Sequence, residues 1–215
     1  YYGTGNPSTW NPSQRPGDNK WSMSIWSRDV DTGKVNWVYQ MTPFDEWDFD
    51  GINEMILADI DVKGKPTKAL VHFDRNGFGY TLDRVTGALL VAEKFDPKVN
   101  WATHVDMATG RPVEVPEARY EITGKPVIIK PGALGMHNWH PMAFNQETGY
   151  VYIPVQVSAN SYAGPKEFKL NLEGTNTGTD FSGGAALCAA PGAKCGNIES
   201  YILAWDPVKA KEVWR

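Results

Sequence analysis

The feature that most limits what this sequence can fold into is a recurring unit of strand, Asp-led turn and strand. Its clearest copy is Ser24-Ile25-Trp26-Ser27-Arg28-Asp29-Val30-Asp31-Thr32-Gly33-Lys34-Val35-Asn36-Trp37. Related copies begin at Tyr80, at Ala143 (with Asn145 in place of the Asp) and at Tyr201. The Asp or Asn starts each turn, and in three of the four copies a Thr-Gly step supplies the positive φ that lets antiparallel strands reverse. The copies start about 60 residues apart, the length of a four-stranded blade with generous loops, so radial repetition explains the spacing better than a sandwich does. The expectation is an all-β partial β-propeller of about three to four blades, with residues 1–215 in a single domain. An ordinary β-meander is the alternative that spacing alone leaves open.

Composition agrees with short strands and tight turns: nine Trp and nine Tyr stand beside 21 Gly and 15 Pro. The formal net charge of -4, with no Lys/Arg run, gives no electrostatic footprint for nucleic acid or an anionic membrane. The chain opens on Tyr1-Tyr2-Gly3 and closes on Val213-Trp214-Arg215 directly after a strand-like run, so a piece of a longer protein is expected. Long polar connections at 96–134 and 158–198 interrupt the repeat and are expected to cover one end of the propeller or meet a partner. Cys188 and Cys195 fit either a disulfide in an oxidising compartment or two free thiols, and no zinc-site partner lies near them in sequence.

Three clusters could carry chemistry. Asp45-Glu46-Trp47-Asp48-Phe49-Asp50-Gly51-Ile52-Asn53-Glu54 concentrates carboxylates among aromatic side chains. If Asp48 to Asp50 is extended, those two acids project to one side and converge on a hard cation or share acid/base work; a solvated acidic turn is the alternative. Flanking Trp47, Phe49 and Ile52 draw the acids toward an apolar interior, where unpaired charge is costly. Arg75, in His72-Phe73-Asp74-Arg75-Asn76-Gly77-Phe78-Gly79-Tyr80, could clamp a carboxylate or polarise a carbonyl, or simply sit at an Asn-Gly hairpin with a surface salt bridge. Gly135-Met136-His137-Asn138-Trp139-His140-Pro141-Met142 packs polar and aromatic groups that suit a planar ligand, and equally a satisfied core turn. The His137/His140 spacing is compatible with a metal but lacks a third ligand. Gly3 and Gly5 imitate half of a dinucleotide fingerprint, yet no third glycine opens a helix, and no Walker loop or Gly-x-Ser-x-Gly elbow occurs.

Taken in order, Tyr2-Gly3-Thr4-Gly5-Asn6-Pro7, Arg15-Pro16-Gly17-Asp18-Asn19, Trp47-Asp48-Phe49-Asp50-Gly51, Asp74-Arg75-Asn76-Gly77 and His137-Asn138-Trp139-His140-Pro141-Met142 resemble the PQQ-dependent methanol and ethanol dehydrogenases. The resemblance spans nearly the whole chain and implies an internal fragment of an eight-bladed quinoprotein propeller. It implies Asn6 as a metal ligand, Asp48 as the general base toward an alcohol hydroxyl and part of the metal site, and Arg75 as the group that hydrogen-bonds the quinone carbonyls. Asn138 and Trp139 match positions at the far edge of the quinone. Asp50 stands where calcium-type members carry a small uncharged residue, and an added carboxylate suits a trivalent ion, so lanthanide is expected and calcium is the alternative. Metal Lewis acidity, proton removal by Asp48 and hydride transfer to pyrroloquinoline quinone (PQQ) then follow. The resemblance further implies a periplasmic oxidoreductase of a small primary alcohol with cytochrome c as electron acceptor, a homodimer being left open. The family's glutamate metal ligand, adjacent-cysteine disulfide and quinone-supporting tryptophan are expected to precede Tyr1, so the fragment alone is expected to be inactive. A noncatalytic propeller scaffold and a PQQ-dependent sugar dehydrogenase are the rival readings; the scaffold has no use for Asn6, Asp48, Asp50, Arg75 and Asn138 together.

Overall fold

The computed structural model describes all residues except 192–194 and 196–197. Its architecture is a succession of antiparallel sheets. One four-stranded sheet runs in sequence order through Met55–Val62, Lys65–Phe73, Phe78–Asp83 and Leu89–Lys94. A second comprises Ala143–Asn145, Tyr150–Val157, Glu199–Asp206 and Lys211–Trp214. Tyr2–Gly3, Ser24–Arg28 and Val35–Gln40 form a three-stranded sheet, and two small pairs lie between. The three- and four-stranded sheets are the blades expected from the repeat, their strands adjacent in the order in which the chain enters each sheet, whereas Val127–Ile129 pairs out of sequence order with Asn160–Tyr162.

The turns follow one chemical plan. The Gly N–H donates to the carbonyl of the leading Asp or Asn in Asp29–Gly33, Asp83–Gly87 and Asn145–Gly149, at 2.8–2.9 Å. The leading side chain meanwhile accepts backbone N–H groups two or three residues on. The glycines hold φ between 69° and 79°, and Ala210 adopts the same left-handed conformation at 51° in the Asp206 copy. The same turn occurs at Asp106–Gly110, joining Ala102–Asp106 to Arg111–Glu114 inside the segment read from sequence as a polar connection.

The repeat count needs one correction. The copies starting at Ala143 and Tyr201 are not successive blades; they are the two outer hairpins of one sheet, joined by pairing of Val151 through Val157 with Trp205 through Glu199. Residues 158–198 form an excursion between the second and third strands of that blade, which contributes Asn160–Tyr162 and the helix Phe181–Ala189. Cys188, in the last turn of that helix, is joined to Cys195 as a disulfide, which closes the alternative of two free thiols.

Neighbouring sheets interlock through aromatic rings. Trp37 packs against the Asp83–Gly87 turn: its indole N–H donates to the Arg84 carbonyl at 3.0 Å, and a Cβ on Gly87 would lie 2.6 Å from the ring, so only glycine admits it. The Tyr39 hydroxyl reaches the Gly110 carbonyl at 2.9 Å, and Thr81 reaches the Pro207 carbonyl at 2.8 Å. Beneath these contacts Trp47, Phe49, Phe78 and Trp101 are fully buried, with centroids of Trp101 5.0–5.8 Å from the other three. Aromatic burial on this scale stabilises the core by several kcal/mol per ring. It also fixes the backbone that carries the acidic segment.

Candidate active site

Trp47 and Phe49 face inward and Asp48 and Asp50 outward, so the alternation expected from the sequence is present. The backbone is not extended, however: Asp48 has φ 66°, and no strand covers 48–53. Aspartate tolerates this left-handed conformation better than bulkier residues because its short side chain bonds locally. Buried Asp45 sets the bend, since its two carboxylate oxygens accept the Trp47 and Phe49 N–H groups at 3.0 and 3.1 Å. Those bonds leave Asp48 and Asp50 on the same side without a strand.

Asp50 is the meeting point of three segments. Its Oδ1 accepts the Asn6 backbone N–H at 2.9 Å, and its Oδ2 lies 3.1 Å from the Arg75 guanidinium. Close approach of the first segment requires Gly5, where a Cβ would lie 2.7 Å from that Oδ1. Arg75 sits in the turn between Lys65–Phe73 and Phe78–Asp83, which is closed by a bond from the Gly77 N–H to the Asp74 carbonyl at 3.1 Å. It is 14% exposed, so its ion pair with Asp50 is not the solvated salt bridge of a surface hairpin. Its Nε is buried without a partner.

Asp48 has a carboxyl group pushed up to about 7, first by burial and next by the like charge of Asp50. Arg75 and a hydrogen bond from the Trp10 indole act in the opposite direction. Two carboxylates facing one another on partly buried ground constitute a site that a cation or a shared proton would stabilise.

The remaining predicted residues lie around this centre with differing engagement. The Asn6 side chain is half-buried and donates only weakly, to the Pro7 carbonyl at 3.4 Å. Buried Asn138 donates to the Leu134 carbonyl at 2.9 Å and accepts the Trp139 N–H at 2.8 Å, which leaves one of its two amide N–H groups free. Trp139 stacks on His140 with centroids 4.4 Å apart and is 75% exposed. His137 is a satisfied core histidine on one side: Nδ1 bonds the Pro154 carbonyl at 2.8 Å, and burial lowers its pKa to about 4. Among the described residues no group of three or more His, Cys, Asp and Glu converges on one point, so Asn6, Asp48 and Asp50 make a partial ligand set.

Several supporting residues received no role from the sequence, Arg15 and Gly135 being seen only as parts of motifs. Trp10 lies close enough to Asp48 to favour its ionised form and is itself fixed by its backbone N–H to the Thr177 carbonyl at 2.7 Å and by edge contact with Phe181. Arg15 binds the Trp10 carbonyl at 2.9 Å and also the Asp45 carbonyl, lacing the first segment to the acidic one. Gly135 and Ala133 back Arg75. An arginine beside Pro-Gly and a glycine before a Met-His pair were the only signals available, and neither specifies a contact so distant in sequence.

Comparison with known proteins places this geometry in context. Residues 1–102 match the PQQ family described as "Glucose/ethanol/alcohol dehydrogenase, beta-propeller domain". The chain is 51% identical along its whole length to the lanthanide-dependent methanol dehydrogenase of Methylorubrum extorquens, of which it covers 36%. It is 45% identical, again along its whole length, to the protein of the same description from Methylacidiphilum fumariolicum, covering 34% of it. Among solved structures, a europium-containing methanol dehydrogenase superimposes on 99% of the chain with a TM-score of 0.81 and 41% identity, the match covering 36% of that protein. The quinohemoprotein alcohol dehydrogenase of Comamonas testosteroni does so with 0.87 and 40%, with 32% of that protein covered. The chain thus spans about a third of the length of the curated relatives it matches.

Proposed function

This chain belongs to the PQQ-dependent methanol and ethanol dehydrogenase family, and on that premise we propose that the protein oxidises a small primary alcohol to the aldehyde, using PQQ and a lanthanide ion, in the periplasm. The observation that carries the reading is the convergence on Asp50 of the Asn6 segment and the Arg75 guanidinium, with Asp48 two residues away.

The residues present fit both groups. Oxygen donors of Asp48, Asp50 and the Asn6 amide are the hard ligands that a lanthanide or calcium ion takes, and the mutual repulsion of the two carboxylates is what a cation would relieve. Arg75, with a planar fork and an unpartnered Nε, and Asn138, with one free N–H, are donors of the kind that quinone oxygens accept. The set is incomplete, because further metal ligands and the stacking surfaces for a planar cofactor are expected outside residues 1–215. When bound, the quinone would supply a two-electron acceptor and the metal would supply Lewis acidity.

The chemistry of this chain's own residues follows from their surroundings. Asp48 takes the alcohol proton in its ionised form, and its raised proton affinity makes it a stronger base than an ordinary aspartate. The Trp10 indole orients that carboxylate. Arg75 would contribute fixed positive charge beside the oxygens of a bound quinone. Asp50, absent as a carboxylate from calcium-type members, adds the negative charge that favours a trivalent ion. Cytochrome c is the proposed electron acceptor. The disulfide Cys188–Cys195 is in keeping with an oxidising compartment.

The test uses the whole protein, stripped of metal, supplied with PQQ and either lanthanum or calcium, and assayed by dye reduction with ethanol. Activity restored chiefly by lanthanum is expected. Restoration by calcium alone overturns the lanthanide assignment, and no activity with either metal favours a scaffold.

A further inference from the structure

Asp50 makes more protein bonds than a bare metal ligand requires. Both of its oxygens are engaged, Oδ1 by the Asn6 N–H and Oδ2 by Arg75. Arg75 is also held by the 133–136 loop: the same Nη1 that faces Asp50 donates to the Ala133 carbonyl at 3.1 Å, and the Arg75 carbonyl accepts the Met136 N–H at 3.0 Å. A Cβ on Gly135 would stand 2.5 Å from the Arg75 Cβ and Cγ, so the loop presses directly on the arginine stem. The guanidinium is therefore caught between a carboxylate and a loop, with little solvent to hold it.

A partly buried guanidinium without its counter-charge is strongly disfavoured, and a freed arginine has many rotamers to explore. Removing Asp50 would leave Arg75 with one carbonyl contact and its attraction to Asp48. We propose that Asp50 is a positioning residue for Arg75, fixing the guanidinium and tying it to the Asn6 segment before any metal arrives, in addition to its part in the metal site. The inference rests on the functional reading above only in assigning Arg75 to the quinone; the clamp itself is formed by residues of this chain. It gives Asp50 two roles that activity alone would not separate, because loss of either depresses turnover.

The separating measurement needs neither cofactor nor metal. The whole protein, chelated and without PQQ, is treated with phenylglyoxal, an arginine-specific reagent, and modification of the Arg75 peptide is followed by mass spectrometry. In Asp50→Asn and Asp50→Ala, Arg75 should react about fivefold faster than in the wild type, while Asp48→Asn stays near the wild-type rate. The nearly isosteric Asn variant decides the matter if the Ala variant fails to fold, as judged by circular dichroism. An unchanged rate in the Asp50 variants, or an equal acceleration in Asp48→Asn, would overturn the proposal. Lanthanum binding by the wild type, measured separately by calorimetry, tells whether the metal reading stands or falls irrespective of that result.

Discussion

The acidic run divides into two halves that share composition and little else. Asp45 and Glu46 are fully buried, whereas Asp48 and Asp50 are partly open and face Asn6, Trp10 and Arg75. Asp45 caps two backbone N–H groups, and Glu46 accepts the Tyr120 N–H at 3.1 Å. Beside them Arg119 pairs with Glu114 at 2.5 and 2.8 Å, donates to the Phe44 carbonyl at 2.5 Å and lies over the Trp47 ring. The inner acids thus fix the shape of the segment, and the outer acids stay open toward the Asn6 and Arg75 segments. Charge alone does not separate the two halves; the partners available to each carboxylate do.

The most severe way to probe that division is Asp48→Asn. Turnover by the whole protein should fall about a thousandfold, because the proposed general base is lost, while the denaturation midpoint stays near the wild-type value. A large loss of stability together with activity would mean that Asp48 belongs with the inner pair. Asp45→Ala should do the reverse in kind. Losing two hydrogen bonds to buried N–H groups should destabilise the fold by about 3 kcal/mol, read as a lower urea midpoint with unchanged slope. An Asp45→Ala protein as stable as the wild type would show that the bend at Asp48 does not depend on that cap.

How much of this was legible in the sequence varies with the range over which the cause acts. The hairpins could be read because Asp-x-x-Thr-Gly is a local device, complete within five residues. Even there the assignment of copies to blades went astray, while the expected three to four blades held, since pairing of Tyr150–Val157 with Glu199–Asp206 across a long excursion is a non-local fact. Asp48, Asp50 and Arg75 stood out as clustered charge, Asn6 through family resemblance alone, and the structure links the three segments through Asp50. The split within the acidic run was not legible. An irregular segment has no periodicity, and the groups that distinguish Glu46 from Asp48 stand far off in sequence, Tyr120 in one case and Arg75 in the other. Trp139 shows the converse: a resemblance marked it for the quinone, whereas in the chain alone it is exposed and stacked on His140.

Glu46 offers the finest test, because its burial makes a signed prediction. Its carboxyl is pushed up to about 10, first by burial and next by the neighbouring Glu121, with Arg119 opposing. A folded pKa above the ordinary carboxylate value means that the folded protein keeps a proton which the unfolded chain releases, so stability is fully present below about 4.5 and falls as pH rises toward about 10. Glu46→Gln keeps the shape and the acceptor for the Tyr120 N–H but carries no charge. Its amide N–H groups also supply a donor where Glu46 Oε2, Glu121 Oε2, Tyr120 Oη and Thr179 Oγ1 are buried without partners. The variant should match the wild type near pH 5 and exceed it by about 2 kcal/mol near pH 8, since a neutral hydrogen-bonding group replaces a buried acid. A Gln variant that is weaker at every pH would show that the charge of Glu46 is held by Arg119 and is needed there, which would move Glu46 from the inner, charge-averse half of the run to a paired one.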